Sequence, residues 1–212
     1  MSGIPIFEVF QKGLLRGSEH LPFDPKKAYA YVEHPTEGWR VYLRTATFLH
    51  PNNKPIIPQE FLVVKRTGSR PSSRTWEPPK GQMEGKDMRR NPGSSIVDLL
   101  AENARREVEE ESHVSEIQHL THTGLVFQGQ ETNYKGKPWY FQYHIFEGQI
   151  SQEQIAKSFG TFAWFKEHPK AFARVSRDRA EKDAAAWFSP TKTLLNPRWC
   201  PSIVALYINS KK

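Results

Sequence analysis

The stretch SSIVDLLAENARREVEEESHV, residues 94–114, constrains this chain more than any other part of it. Val97, Leu100, Ala101, Ala104 and Val108 recur at helical spacing, so the segment predicts a helix with one apolar stripe that must lie on a packed surface. Ser95 is placed to cap it, and Asp98, three residues on, completes an imperfect capping box. Glu102 precedes Arg106 by four residues, the favourable order for an ion pair. Glu107, Glu110 and Glu111 then follow at i, i+3 and i+4 and share a face beside the stripe, while Glu109 points away. Like charges this close repel by a few tenths of a kcal/mol per pair, roughly. Either the face is simply solvated, or a cation sits on it. Three carboxylates with no Cys or His at ligand spacing suit a hard ion, Mg²⁺ or Mn²⁺, rather than zinc.

A helix of this kind needs a sheet to cover. WRVYLRTATFLH (residues 39–50) and EFLVVKR (60–66) are rich in β-branched and aromatic residues and read as strands. HLTHTGLVFQG (119–129) and KPWYFQYHIFEGQI (137–150) read as two more, around the turn QETNYKG. GTFAWF (160–165) reads as a short strand, SRDRAEKDAAAWF (176–188) as a helix, and CPSIVALYINS (200–210) as a last helix or strand. TWEPPKGQMEGKDMRRNPG (75–93) is punctuated by Pro and Gly and is expected to hold no regular element. The first 40 or so residues mix apolar pieces with Pro and Gly and read as irregular, with one helix or strand. Strands, one central helix, more strands and late helices give a mixed α/β layering.

The 212 residues carry a formal charge of +7 and a pI near 9.5, which favours phosphate-rich ligands or nucleic acid as partners. A hydrophobic fraction of 37% is that of a folded chain. The lone Cys200 excludes an internal disulfide and a zinc–cysteine cluster. No apolar run approaches the ~20 residues of a membrane span, so no membrane partner is expected. The N-terminus lacks a secretory core; IFEVFQKGLLR (6–16) is at most a weak targeting helix, interrupted by Glu8. The expected location is cytoplasmic, with the nucleus left open.

Upstream of the helix lies WEPPKGQMEGKD, and here the chain resembles the MutT/Nudix hydrolase family. That family's pattern is G-x5-E-x7-R-E-U-x-E-E-x-G-U, with U aliphatic. This sequence has Gly81-x5-Asp87, an insertion at about residues 86–97, then Arg106-Glu107-Val108-Glu109-Glu110-Glu111-Ser112-His113-Val114. The PPKG approach resembles that of dinucleoside tetraphosphate hydrolases and, more loosely, decapping enzymes. The resemblance covers Trp76 to Val114. It implies a Nudix-type α/β/α sandwich with a mixed sheet and a catalytic loop-helix-loop, as a domain over residues 36–212 behind an N-terminal extension over 1–35. It also implies Mg²⁺ or Mn²⁺ held by Glu107, Glu110, Glu111 and the carbonyl of Gly81, with Arg106 orienting the loop and Lys80 touching phosphates. The general base is Glu110, Glu107 or a glutamate outside the motif. The sequence departs from the pattern in three ways. The motif is stretched, so Asp87 or Asp98 takes the place of its first glutamate. That residue is Asp rather than Glu in either case. His113 stands where the family has Gly, at a helix end that commonly turns left-handed.

Around the motif, Arg66, Arg74, Lys80, Lys86 and Arg89 are candidate phosphate contacts, with Lys65, Arg70 and Arg90 nearby. Alternation sets Trp139, Phe141 and Tyr143 on one strand face and Tyr140 on the other; Trp139 or Tyr140 could stack a base. Trp164 and Trp187 read as core. Three functions follow: hydrolysis of a dinucleoside polyphosphate or related nucleotide; hydrolysis of capped RNA or a diphosphoinositol polyphosphate; or an inactive module that binds RNA or protein.

Overall fold

The computed structural model describes residues 11–21, 24–70, 73–132, 136 and 138–212. In chain order its elements are β1 (Leu15–Leu21), β2 (Asp24–Glu33), β3 (Arg40–Pro51), β4 (Leu62–Arg66), β5 (Trp76–Glu77), β6 (Lys80–Gln82), α1 (Gly85–Arg90), α2 (Ile96–Ser112), β7 (Gln118–Thr132), β8 (Pro138–Ile150), α3 (Gln152–Glu167), α4 (Pro169–Phe172), β9 (Lys182–Trp187) and α5 (Cys200–Asn209). A single 3₁₀ turn, Asp178–Ala180, precedes β9.

The organising strand is β3. It runs parallel to β8 from Val41↔Tyr140 to Pro51↔Ile150, and antiparallel to β2 at one end and β6 further along, where Thr45 faces Gly81. With β1 outside β2 and β7 outside β8, this is a mixed sheet, and β5, β4 and β9 form a second, antiparallel one. The expected mixed α/β fold is the one observed. Because β3 is covered on both faces, nearly all of it is buried, as for strands of parallel sheets. Its alternate residues feed two cores. Tyr42, Ala46 and Phe48 pack with Ile203, Val204 and Tyr207 of α5. Val41 and Leu43 pack with Leu99, Leu100 and Ala104 of α2. The two helices therefore lie on opposite faces, an α/β/α layering. No helix of the described residues is long and apolar enough to cross a membrane.

The long helix forms as its sequence dictates. Ser95 Oγ accepts from Asp98 N (3.1 Å), and His113 ends the helix left-handed at φ 60°. Within the stripe Val97 is outside, 36% exposed, and Leu99 takes the buried place. Glu102 accepts from the Asn91 side chain (2.9 Å), and no ion pair with Arg106 is seen, because Arg106 turns to other carboxylates.

Five local readings are corrected. The Pro- and Gly-rich stretch 75–93 does hold regular elements: β5, β6 and α1, the last closed by a reciprocal cap between Glu84 and Asp87. GTFAWF is the second half of α3, where Ile155, Phe159 and Phe162 recur at i, i+4 and i+7 behind the Ser151 cap. SRDRAEKDAAAWF is the 3₁₀ turn and β9, because pairing with β4 overrides the helix preference of its alanines. The early chain holds β1 and β2, which pair through Leu15↔Glu33 and join the main sheet. Trp164 is 48% exposed, stacked on His168 at 4.4 Å, not core. The targeting-helix reading falls mostly on residues 1–10, outside the described residues.

Candidate active site

The site gathers where β6, α2 and β9 meet. Gly81 on β6 lies flat against Glu107: a Cβ built there would sit 2.0 Å from the Glu107 carboxyl carbon. Only glycine admits that approach. Beside it, the backbone N–H of Lys80 donates to Glu111 Oε2 (2.9 Å). The helix stripe thus docks α2 while its second face is pressed into β6.

Arg106 is the hub of the carboxylates. Its guanidinium lies 2.9 Å from Glu107 and 2.8 Å from Glu110, donates to Asn103 (2.6 Å), and stands 3.6 Å from Asp87 and 3.8 Å from Glu84. This geometry separates the two candidates for the first acidic position. Asp87 faces Arg106 and accepts from Glu84 N (3.0 Å), whereas Asp98 accepts from the hydroxyl of its own cap residue Ser95 (2.6 Å). The 91–95 segment is therefore looped out between the two halves of the motif.

A second, buried charge cluster was not expected. Lys182, at the start of β9, pairs with both Glu77 and Glu111, at 2.8 Å from the latter, and Lys80 lies 3.2 Å from Glu77. Asn196 also donates to Glu77 (3.2 Å), and the buried Cys200 thiol contacts it at 3.6 Å. Burial opposes the Glu77 charge, but Lys80 and Lys182 outweigh it and hold its carboxyl at about 2. Burial raises Cys200 to about 12, so it is a packed, inert thiol. Burial likewise raises Glu107 to about 8, against Arg106 and with the help of Glu111, Glu110 and Glu181. Glu110 and Glu111 are raised by burial too.

Oxygen-only donors of high negative charge are what a Mg²⁺-sized ion takes. Among the described residues, no three His, Cys, Asp or Glu side chains are already grouped around one metal position. Each carboxylate is instead matched by a protein cation, Glu107 and Glu110 by Arg106 and Glu111 by Lys182. The donor set fits the ion in kind: three carboxylates and a backbone carbonyl converge beside one another, and burial, reinforced by the neighbouring glutamates, raises the Glu107 carboxyl against Arg106.

From this floor opens a cleft of about 1370 Å³, lined by Arg44, Arg66, Lys80, Arg177, Lys182 and Arg198 among its cations and by Trp139, Tyr143 and Trp199 among its rings. Of the candidates named from sequence, Arg66, Lys80, Gly81 and Trp139 line it. Arg74, Lys86, Arg89 and Tyr140 do not, and Arg106, Glu107, Glu110 and Glu111 lie behind its Lys80–Gly81 edge rather than on its wall. Lys86 pairs with Glu84 (2.6 Å), Arg74 and Arg89 are exposed, and Tyr140 stacks on Trp39 (5.0 Å) on the other side of the sheet. Sequence reasoning missed Glu181, which lines the cleft, and Lys182, because their segment read as a helix. It missed Glu131 and Trp199 because nothing local marks them.

Several solved structures are similar to this chain. A NUDIX hydrolase from Nitrosomonas europaea shares 18% identity over 81% of this chain and 91% of its own, with a TM-score of 0.45. An Ap4A hydrolase from C. elegans, solved as a binary complex, shares 17% over 81% and 98%, with a TM-score of 0.45. A NUDIX hydrolase from Alicyclobacillus acidocaldarius shares 15% over 80% and 92%, with a TM-score of 0.42. No family model and no curated protein sequence matches the chain.

Proposed function

We propose that this chain is a divalent-metal-dependent Nudix pyrophosphohydrolase that cleaves a phosphoanhydride bond in a dinucleoside polyphosphate or related nucleotide. The observation that carries the reading is the contact of Gly81 with Glu107, because it joins the two halves of the stretched motif, β6 and α2, at one point. An acidic helix face that served only solubility has no reason to be pressed into a glycine.

Glu107, Glu110, Glu111 and the Gly81 carbonyl would hold the metal. When bound, such an ion withdraws charge from phosphate oxygens and makes a water acidic enough to attack. The chain's own residues do the rest. Arg106 fixes Glu107 and Glu110 with respect to each other and ties them to Asp87, so the loop and helix move as one body. Lys80, held over the cleft floor by Glu77, presents its cation to the phosphate chain. Glu110 is the least buried of Glu107, Glu110 and Glu111, and burial raises its proton affinity, as suits a group that takes a proton from water; Glu181 is the other candidate base. Arg66 and Arg177 extend the positive lining, and Arg44 and Arg198 share one carboxylate, Glu131, so the wall stays net positive beyond what one pyrophosphate needs.

The reading is tested by nucleotide release from diadenosine tetraphosphate, cap-labelled RNA, a diphosphoinositol polyphosphate and nucleoside triphosphates, each with Mg²⁺ and with EDTA. Metal-dependent cleavage is expected for diadenosine tetraphosphate and to be lost in Glu110→Gln. Absence of turnover on every substrate, with RNA still bound, would assign the chain to the inactive binding modules instead.

A further inference from the structure

Lys182 bridges two buried carboxylates. Its Nζ pairs with Glu77 Oε1 on one side and lies 2.8 Å from Glu111 Oε1 on the other, and none of the three side chains is more than 6% exposed. Ion pairs this deep add little stability over apolar packing of the same volume, so stability alone does not account for them. The backbone is also bent to place this lysine. In the β4–β9 ladder Lys65 faces Ala184 but Arg66 faces Lys182, so Asp183 is an extra residue, a bulge. Bulges re-aim side chains and gather beside active sites. Here Asp183 turns to Lys65 (3.1 Å) and to the Gly68 N–H (3.0 Å), and Lys182 turns inward to the cluster.

The two carboxylates hold the lysine in different ways. Glu77 is a fixed acceptor: its Oε2 takes Lys80 Nζ (3.2 Å), Asn196 Nδ2 (3.2 Å) and the Cys200 thiol (3.6 Å), which leaves Oε1 to Lys182. Glu111 is one of the carboxylates that would hold the metal. Its Oε2 accepts from the Lys80 backbone N–H (2.9 Å), and its Oε1 faces Lys182. A neutral N–H anchored in β6 is compatible with an ion on the same carboxylate, whose oxygens accept more than one bond. An ammonium is not: at 2.8 Å from the carboxylate oxygen, its full charge opposes a divalent ion bonded there. An ion that takes Glu111 therefore displaces Lys182, and Glu77 keeps the displaced ammonium paired inside the protein.

We propose that Lys182 is a positioning residue that competes with the divalent ion for Glu111, and that Glu77, by sharing the ammonium, sets how strongly the site takes that ion. The proposal rests on the metal-dependent hydrolase reading. It adds that ion affinity in this chain is governed by a pair of residues that lie outside the carboxylate helix and are not themselves ligands of the ion.

The test is a titration of the protein with Mn²⁺ alone, without substrate, followed by the loss of the free ion's paramagnetic resonance signal. Lys182→Met is expected to bind Mn²⁺ about ten- to a hundredfold more tightly than wild type. Glu77→Gln leaves the ammonium wholly to Glu111 and is expected to bind about tenfold more weakly. Both shifts should persist at high salt, because buried pairs are screened little. Urea denaturation gives a second readout. Mn²⁺ is expected to raise the midpoint of Lys182→Met more than that of wild type, since tighter binding stabilises more at the same concentration. A lysine that served packing alone would lower the midpoint equally with and without the ion. Shifts of the same sign in the two variants would overturn the proposal, as would a Glu77→Gln affinity equal to that of wild type, which decides the matter even if Lys182→Met does not fold. Wild-type protein that binds no Mn²⁺ would sink the hydrolase reading along with this one, whereas bound Mn²⁺ with unshifted affinities sinks this one alone.

Discussion

Replacing Gly81 by Ala separates the site from the fold. The Gly81 backbone lies outside the left-handed region, so alanine is conformationally permitted there. The added Cβ would lie 2.0 Å from the Glu107 carboxyl carbon, and ordinary contact begins at 3.4 Å, so the carboxylate must retreat by about 1.4 Å. Glu107 is the end of a flexible side chain, and the retreat costs little stability. Restricting the unfolded chain at a former glycine returns about 0.4–1 kcal/mol. The melting temperature is expected to stay within about 4 °C, since a chain of this size shifts roughly 2–4 °C per kcal/mol. Activity behaves differently. A displacement near 1 Å in an aligned site costs about a hundredfold, so kcat on diadenosine tetraphosphate with saturating Mg²⁺ is expected to fall by about that factor. Calorimetric melting and steady-state turnover read the two quantities separately. A kcat within twofold of wild type would refute the placement of Glu107 in the catalytic constellation. Unfolding of the variant would show that the contact is structural.

Lys182→Met leaves Glu77 and Glu111 buried without their shared cation, and removal of one partner of a buried pair costs about 3–5 kcal/mol. Urea denaturation should show a midpoint lowered accordingly, and an unchanged midpoint would mean that Lys80 and Asn196 suffice to compensate Glu77. Stability should also fall in mild acid. Burial holds His144 at about 3, and burial lowers His50, His113 and His122 as well. The unfolded chain binds these protons near pH 6.5 and the folded chain does not, so this contribution is complete above about pH 6.5 and is lost as pH falls toward 3, at up to ~1.4 kcal/mol per pH unit for each histidine. Unfolding free energies measured between pH 7 and 5 should slope in that direction, less steeply in His144→Gln; a slope unchanged in that variant would place its folded-state proton affinity near normal.

What was legible in the sequence followed from strong local signals. The helix from Ser95 to His113, its cap and its left-handed end were fixed by spacing and by residue type, and the apolar stripe located its packed face to within one residue. The strands β3, β4, β7 and β8 carried β-branched and aromatic runs. The errors fell where tertiary pairing overrode local preference. Three alanines suited a helix until β4 supplied a ladder for them, and the aromatic cluster of GTFAWF masked the Ser151 cap that starts a helix nine residues earlier. Asp87 and Asp98 were separable only in three dimensions, because Asp87 keeps the motif's spacing from Gly81 and Asp98 its spacing to Arg106, and only Asp87 folds back onto Arg106. Glu77, Lys182, Glu131 and Trp199 left no trace because their roles arise from contacts between segments 68 to 123 residues apart.

Manganese-edge anomalous diffraction from crystals soaked in Mn²⁺ tests the central claim most directly. The account predicts a metal peak within bonding distance of Glu107, Glu110, Glu111 and the Gly81 carbonyl, with Glu107 and Glu110 drawn away from Arg106 and Glu111 from Lys182. A fully soaked crystal with no peak there, and with these ion pairs intact, would contradict it.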